Sequence, residues 1–289
     1  MKNDRTSPGS PRSLLKRVWC KAFGRTSWAK AYGTLREKEQ HGLLRRANYA
    51  YGLLRAADVA KYFGKNATTV CEFGVAEGDG ILNMVELAEA IQNETGVEFR
   101  IVGFDSGEGL PTVRGYQDHP EIWSVGDFPM VDKEALLRRV NGRAEIIFGD
   151  IGSTIDDFTK TMETSAPLGF VSIDVDVYSG TKSALLCLNG DPDLYTPAVS
   201  MYFDDVAFFF ANEWCGELSA IREFNAEHDL RKIDVDRSLP GSRPAKSKTW
   251  YRGMYVCHVL DHTYRDNPRT RETMRLGDHL GFMTSHYLL

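Results

Sequence analysis

The chain lacks any long apolar run. In its 289 residues, no apolar stretch approaches the roughly 20 residues that a membrane-spanning helix requires. Near the N-terminus, Leu14 and Leu15 are followed at once by Lys16 and Arg17, which interrupts the apolar core that a secretory signal needs. We therefore expect a cytoplasmic protein.

Cysteine is scarce and scattered. The five cysteines are an odd set without a C-x-x-C pair, so the sequence indicates neither a disulfide framework nor a zinc site. Cys71 and Cys257 fall inside predicted strands, where we expect them to be small buried apolar residues. The hydrophobic content of 42% is enough for the buried core of one large domain with extensions.

Acidic and basic residues are unevenly distributed. Residues 1–46 carry 12 Lys or Arg and 3 acids (+9), which leaves 23 and 37 (−14) for the remaining 243 residues. Within the basic part, residues 14–23 predict an amphipathic helix. A flexible tail, a lid packed on its own domain, and a peripheral contact with an anionic membrane surface are the three interpretations of this segment.

The prediction of the fold starts from a glycine-rich turn within residues 70–80. A short buried strand passes Glu72, continues through Gly74, Gly78 and Gly80, and leads into a helix. Glycine allows the backbone to curl tightly and to touch a ligand. The amides at the start of the following helix would point into the same crevice, where a polar or charged ligand group can bind.

Two nucleotide-binding patterns compete for this turn. The dinucleotide fingerprint requires G-x-G-x-x-G, with an acid about 20 residues later, and the glycine spacing here does not fit it. A strand-end acid followed by such a turn resembles the first motif of class I S-adenosylmethionine-dependent methyltransferases. In that family the acid orients the methionine end of the cofactor, near its ammonium group, and the glycines make room for the rest. The alternative is a strand, turn and helix that bind nothing.

Hydrophobic periodicity extends the pattern along the chain. A helix is predicted over residues 49–63 and a second strand over residues 98–104. The other predicted strands are 144–148, 169–176, 198–203, 230–235 and 250–260, and a helix is expected to open at Asp156. Strands that alternate with helices early and form a hairpin late predict an α/β fold. We expect a Rossmann-like, seven-stranded, mostly parallel sheet with helices on both faces and an antiparallel edge strand.

An acid also follows the second strand. Asp105 is well placed to accept both ribose hydroxyls of an adenosine, because a carboxylate offers two acceptor oxygens. Ser106 can assist it, and Asp150 and Ile151 form the exit turn of the third strand. A helix cap or turn role is the alternative for Asp105.

Two pairs of carboxylates end the fourth and fifth predicted strands. These are Asp174 with Asp176, and Asp204 with Asp205. In open α/β sheets ligands bind beyond the carboxyl ends of the strands, and crowded carboxylates repel one another unless they share protons or bind a cation. Oxygen ligands suit Mg²⁺, Ca²⁺ or Mn²⁺. Helix caps explain one or two of these residues but not both pairs, so the sequence predicts a divalent-metal site.

Residues 107–130 form a long connection, and loops of this length tend to be functional. His119 lies within it, and an imidazole can act as a base near neutral pH. Asp118 is a substitute candidate, and a surface position without function is the alternative for His119. Tyr116 and Trp123 are predicted to cover an apolar or sugar surface of the acceptor.

Four motifs together resemble the macrocin O-methyltransferase family, whose members methylate sugar hydroxyls of macrolides and use a divalent metal. The similarity covers residues 49–228, and the motifs follow the family's order. They are Glu-Phe-Gly-Val-Ala (72–76), Gly-Phe-Asp-Ser-Gly-Glu-Gly-Leu-Pro (103–111), Ile-Asp-Val-Asp-Val-Tyr-Ser-Gly-Thr (173–181) and Phe-Asp-Asp-Val (203–206).

The resemblance implies a function and a set of site residues. The function is S-adenosylmethionine-dependent, metal-assisted methylation of a hydroxyl on a small molecule such as a sugar, natural product or similar diol. Its alternatives are a non-catalytic S-adenosylmethionine-binding protein and a metal-dependent hydroxylase, although no His stands near the carboxylates to hold iron.

The expected cofactor contacts are Glu72, Gly74, Ala76, Gly78, Asp105, Ser106, Asp150, Ile151 and Asp174. The expected metal ligands are Asp174, Asp204 and Asp205, with Asp176 as an alternate to Asp174, and the expected catalytic residues are His119 and Asp174.

The sequence departs from the family in places. Gly107 stands where the family often has a bulky aromatic residue, and residues 189–193 replace a short link that carries a Gly-Gly pair. We expect residues 1–46 to be a basic extension, partly disordered or a lid, residues 47–265 to be the methyltransferase domain, and residues 266–289 to be a tail. The expected partner is a small-molecule hydroxyl acceptor and not a nucleic acid, and a homo-oligomer is a further hypothesis.

Overall fold

The structure is a computed structural model that describes residues 11–239, 243–244 and 248–266. Its strands are β1 (Ala67–Phe73), β2 (Glu98–Asp105), β3 (Glu145–Phe148), β4 (Leu168–Ile173), β5 (Tyr195–Phe203), β6 (Arg231–Val235) and β7 (Met254–Val259). Its α-helices are α1 (Pro11–Phe23), α2 (Arg25–Tyr32), α3 (Leu35–Gln40), α4 (Ala47–Tyr62), α5 (Asp79–Thr95), α6 (Lys133–Val140), α7 (Ile151–Lys160), α8 (Tyr178–Leu185), α9 (Gly216–Glu227) and α10 (Thr263–Asp266).

All seven strands form one sheet in the order β3-β2-β1-β4-β5-β7-β6. The first five pair in parallel, and β7 runs antiparallel between β5 and β6. The chain moves outward from β1 to β3 and then returns to place β4 on the other side of β1. The sheet therefore reverses its winding between β1 and β4, which is where open α/β sheets bind ligands. The predicted fold class is confirmed.

Alternating side chains of the strands build a core on each face of the sheet. In β1, Cys71 and Phe73 belong to a core formed with α7, α8 and α9, whereas Val70 belongs to a core formed with α4, α5 and α6. Every residue of β4 is buried, as expected for a parallel strand that is covered on both faces. This placement fixes the strand ends at which the site residues lie.

Some element boundaries differ from the sequence prediction. The helix expected to open at Asp156 begins five residues earlier, because the Asp150 side chain accepts a hydrogen bond from the Ser153 amide and caps it. The last strand begins at Met254, since Thr249–Gly253 is a 3₁₀ helix. Strand β5 begins at Tyr195, three residues before the expected start.

The N-terminal extension is helical in its described part. Helix α1 confirms the helix predicted over residues 14–23. Helix α3 is tied to the main domain by Arg36, which pairs with Asp58 at 2.7 Å and with Glu94 at 2.6 Å. The expected disordered start and the tail fall in residues 1–10 and 267–289, outside the described residues, and the division into domains stays a prediction. Within the described ranges, no helix is long and apolar enough to cross a membrane.

Candidate functional site

A crevice of about 1020 Å³ opens at the carboxyl ends of β1 to β4, a volume that suits a ligand the size of a nucleoside cofactor. It brings together most of the residues predicted to contact the cofactor. The predicted residues that line it are Gly74, Ala76, Asp105, Ser106, Asp150, Ile151, Asp174 and Asp176. The predicted residues that lie outside its lining are Glu72, Gly78, His119, Asp204 and Asp205.

Glu72 is buried behind the glycine turn, with an exposed fraction of 2%. Its Oε1 accepts a hydrogen bond of 2.5 Å from the Tyr49 hydroxyl, which in turn accepts one from Ser172. Burial raises the pKa of Glu72 to about 8, although the Tyr49 hydrogen bond lowers it. Its Oε2 is buried and accepts no hydrogen bond from the described residues. When Glu72 is ionised, this unpartnered oxygen has the charge that suits a ligand ammonium group.

The glycines of the turn make room for protein atoms as well as for a ligand. A Cβ on Gly74 would lie 1.8 Å from the Asp174 carbonyl oxygen, and one on Gly80 would lie 1.8 Å from Glu72 Oε1. Gly78 leaves space for Leu136. Of the three glycines, only Gly74 lines the crevice, and the expected contact of Gly78 with the cofactor stays a prediction.

Asp105 has the turn role that the sequence analysis gave as its alternative, in addition to lining the crevice. Its Oδ2 accepts hydrogen bonds from the amides of Val75 and Ala76 at 2.9 and 2.8 Å, and its Oδ1 accepts one from the amide of Gly107 at 2.6 Å. A carboxylate has about four lone-pair positions, so capacity for a ligand hydroxyl remains. Asp105 thus joins the glycine turn to the loop after β2 on the crevice wall.

The structure explains Gly107, where the resembled family often has an aromatic residue. Its φ is +71°, and a Cβ there would lie 1.9 Å from Cε of Lys133. The Lys133 ammonium donates to the Ser106 carbonyl at 3.2 Å and lies 5.2 Å from the centre of the Phe148 ring. The stem of Lys133 therefore occupies the space that a larger residue at position 107 would need.

Four carboxylates crowd the ends of β4 and β5. Burial raises the pKa of Asp174 to about 7, and the charges of Asp204 and Asp205 add to the shift. Burial likewise raises the pKa of Asp176 to about 7, with Asp174 and Asp204 contributing. Asp176 has φ +60°, a strained conformation for a non-glycine residue. Ile173, which precedes Asp174, pairs with Phe203, which precedes Asp204, so the two strand ends that carry these acids are neighbours in the sheet.

Glu217 at the start of α9 extends this group of acids. Its Oε2 accepts a hydrogen bond of 2.8 Å from the Asp205 amide, and burial raises its pKa well above its usual range. Burial also raises the pKa of Asp205 to about 7. Both Oε1 of Glu217 and Oδ2 of Asp205 are buried without a partner in the described residues. From sequence alone, Glu217 is indistinguishable from an acid that stabilises a helix N-terminus.

The crowded carboxylates are not gathered into a metal-binding arrangement. Within the described ranges, no group of three or more His, Cys, Asp or Glu side chains is arranged to hold a metal ion. The oxygen donors have the chemistry that Mg²⁺ prefers. One of them is already engaged, since Asp204 Oδ1 accepts a hydrogen bond of 2.6 Å from the Tyr202 hydroxyl. The metal site stays a prediction.

His119 lies away from the crevice lining. It is 2% exposed, its Nδ1 lies 2.8 Å from Glu121 Oε1, and its ring packs against Phe208. Asp118 is fully buried and accepts hydrogen bonds from the amides of Arg114 and Ser179. The structure therefore gives Asp118 a role in holding the loop to the start of α8, and the predicted role of His119 as a base has no contact with the crevice to support it.

Arg46 is a site-proximal residue that sequence reasoning missed. It lies at the boundary of the basic extension, caps α4 with φ 45°, and places its guanidinium 5.2 Å from the Tyr49 ring centre. Its charge lowers the pKa values of Glu72 and Asp174, against the larger effect of burial. Nothing local in the sequence separates Arg46 from the other basic residues of the extension.

The sheet order defines a Rossmann-like α/β protein, and its crevice lies over the topological switch point of the sheet. No protein-family model matches the sequence, and no curated protein matches it significantly. Among solved structures, the chain is similar to the calicheamicin methyltransferase CalS11, at 20% identity over 87% of this chain and 94% of that one, with a TM-score of 0.49. It is also similar to the O-methyltransferase NovP, at 17% identity over 78% and 96% (TM-score 0.44). A third match is the O-methyltransferase TomG from Streptomyces achromogenes, at 12% identity over 86% and 96% (TM-score 0.42).

Proposed function

We propose that this protein is an S-adenosylmethionine-dependent O-methyltransferase that acts on a small-molecule hydroxyl. The observation that supports it is the pairing of two features in one crevice. The first is the glycine turn with Asp105, where Gly74, Ala76 and Asp105 line the crevice and Glu72 is buried behind the turn. The second is the pair Asp174 and Asp176, which also line the crevice. The first set suits a nucleoside with an ammonium group, and the second suits a polar hydroxyl acceptor.

The proposed reaction would join the acceptor oxygen to a methyl group, with S-adenosylhomocysteine as the second product. Bound S-adenosylmethionine supplies the electrophilic methyl group. Glu72 and Asp105 hold its two ends, which fixes the distance between the reacting atoms. Asp174 takes the proton of the acceptor hydroxyl, with Asp176 beside it in the crevice lining, which includes no His among the described residues.

A divalent cation is a separate part of the proposal. Asp174, Asp204 and Asp205 are oxygen donors that repel one another, and Mg²⁺ held by them would lower the pKa of a neighbouring hydroxyl. The acceptor that suits such a site is a vicinal diol of a sugar, natural product or similar compound. This donor set includes no His, which disfavours an iron-dependent hydroxylase.

Cofactor binding and turnover test the proposal separately. S-adenosylmethionine and S-adenosylhomocysteine should each raise the melting temperature, and NAD⁺ should not. Enzyme treated with a chelator should then be assayed with a panel of diols for release of S-adenosylhomocysteine, with and without added Mg²⁺. Stabilisation by NAD⁺ alone would overturn the cofactor assignment, whereas cofactor binding without turnover on any acceptor would favour a non-catalytic binding protein.

A further inference from the structure

Helix α1 is anchored along one of its faces. The Trp19 ring packs against the rings of Trp28 and Tyr32, with centroid distances of 6.4 and 5.3 Å. On the same side, Arg12 donates to the Tyr32 carbonyl at 3.2 Å, and Lys16 pairs with Glu37 of α3. These contacts hold α1 in one orientation against α2 and α3.

An adjacent face of α1 is apolar and exposed in the described part of the chain. Leu14, Leu15 and Val18 are 63%, 59% and 66% exposed, and Ala22 is also exposed. At about 100° per residue these four positions fall within an arc of about 100°. We call this set of four residues the α1 stripe. Among the described residues its apolar side chains stay exposed although Trp19 of the same helix packs against Trp28 and Tyr32, so the stripe is available to a partner.

Basic residues flank the α1 stripe along one of its borders. Arg17 and Lys21 are exposed and lie at its border on the helical wheel. Residues 11–32, which form α1 and α2, contain no Asp or Glu. Their basic residues are Arg12, Lys16, Arg17, Lys21, Arg25 and Lys30. A partner for this surface must therefore combine an apolar layer with negative charge.

We propose that the α1 stripe docks this protein on an anionic lipid surface. An amphipathic helix that lies in the interface buries its apolar side chains at the boundary of the acyl chains, while Lys and Arg contact the head groups. A second copy of the chain fits less well, because two surfaces that carry only basic residues repel each other. The docking is separate from the crevice, whose lining includes no residue from the described part of the extension.

Vesicle co-sedimentation of the full-length protein tests this proposal. The protein should sediment with vesicles of phosphatidylcholine mixed with phosphatidylglycerol, and much less with vesicles of phosphatidylcholine alone. High salt should release it, because salt screens the attraction between charges. The double substitution Leu14→Ser with Val18→Ser should weaken partitioning by about tenfold or more, since each side chain loses apolar burial. Arg17→Glu with Lys21→Glu should abolish the preference for anionic vesicles.

Matched variants distinguish specific binding through the α1 stripe from nonspecific binding of the protein to vesicles. Leu186→Ser with Leu230→Ser removes two exposed apolar side chains elsewhere, and Arg138→Glu with Lys160→Glu makes the same charge change on α6 and α7. Both controls should bind vesicles as the unaltered protein does. Equal loss in the controls, or binding that ignores lipid charge, would overturn the proposal. A dimer in light scattering that disappears in the α1 variants would also overturn it and assign the stripe to a second copy.

Discussion

The hydroxyl of Tyr49 lies 2.5 Å from Oε1 of Glu72, although 23 residues separate them in the sequence. Tyr49 belongs to α4, and Glu72 lies near the end of β1. The contact therefore links the helix that precedes the sheet to the acid behind the glycine turn. Tyr49 therefore helps to fix the position of Glu72, although Tyr49 lies outside the glycine-turn motif that the sequence shows.

Replacing Tyr49 by Phe should weaken both the fold and the cofactor site. A buried acceptor would lose its donor, which costs about 1 to 3 kcal/mol, and the pKa of Glu72 would rise further because the Tyr49 hydrogen bond lowers it. Urea unfolding and calorimetric titration with S-adenosylhomocysteine measure the two effects. Tyr116→Phe is the control, because Tyr116 is 70% exposed and should show neither. Unchanged unfolding and affinity in Tyr49→Phe would remove the role assigned to this contact.

The stability of the ligand-free protein should fall as the pH rises from about 4.5 to about 8. Burial raises the pKa of Glu72 from 4.5 to about 8, so in this window the folded state keeps a proton that the unfolded state has lost. Each such group contributes a loss of about 1.4 kcal/mol per pH unit. Denaturation across this range should show a shallower pH dependence for Glu72→Gln than for the unaltered protein. An identical slope in both would show that Glu72 ionises normally in the fold.

Asp105→Ala should lower cofactor affinity more than tenfold and also destabilise the crevice wall. The ligand would lose a charge-assisted hydrogen bond of about 1.5 to 3 kcal/mol, and the amides of Val75, Ala76 and Gly107 would lose their acceptor. Asp132→Ala is the control, since it also removes an acid that accepts a backbone amide, at the start of α6, but one outside the crevice lining. Affinity within about twofold of normal in Asp105→Ala, when the expected loss is tenfold, would refute the ribose assignment.

The strand-end acids were predictable from sequence because each follows a buried strand, and parallel strands end at one edge of a sheet. The convergence of Asp105, Asp150 and Asp174 on the crevice follows from that rule. The contacts of Tyr49 and Arg46 with this region were not predictable, because they depend on how α4 packs across the sheet. The sequence predicts that glycine is needed in the turn, but only the packed structure shows which atoms occupy the space.

Asp204→Asn and Asp205→Asn should weaken Mg²⁺ binding more than they weaken cofactor binding. Each removes one of the negative charges that crowd Asp174, and neither residue lines the crevice. The measurement is Mg²⁺-dependent turnover after chelation, together with calorimetric cofactor affinity. Asp191→Asn is the control, because Asp191 caps the 3₁₀ helix Pro192–Leu194 before β5. Full activity of the chelated, unaltered enzyme would remove the metal from the mechanism.

Gly74→Ala should be far more damaging than Gly96→Ala, although both glycines have similar positive φ values of +87° and +75°. Each substitution carries the left-handed strain of about 1 to 2 kcal/mol. Only at Gly74 would the new Cβ meet a backbone atom, the Asp174 carbonyl oxygen at 1.8 Å, whereas nothing lies within 4 Å at Gly96. Moving β1 away from β4 to relieve that contact should cost about 1 to 3 kcal/mol more and should displace Asp174 from the crevice.

Gly74→Ala should therefore lose cofactor affinity and turnover together, whereas Gly96→Ala should lose only stability. Equal unfolding free energies and equal affinities for the two variants would show that the close approach of the turn to Asp174 does not shape the site.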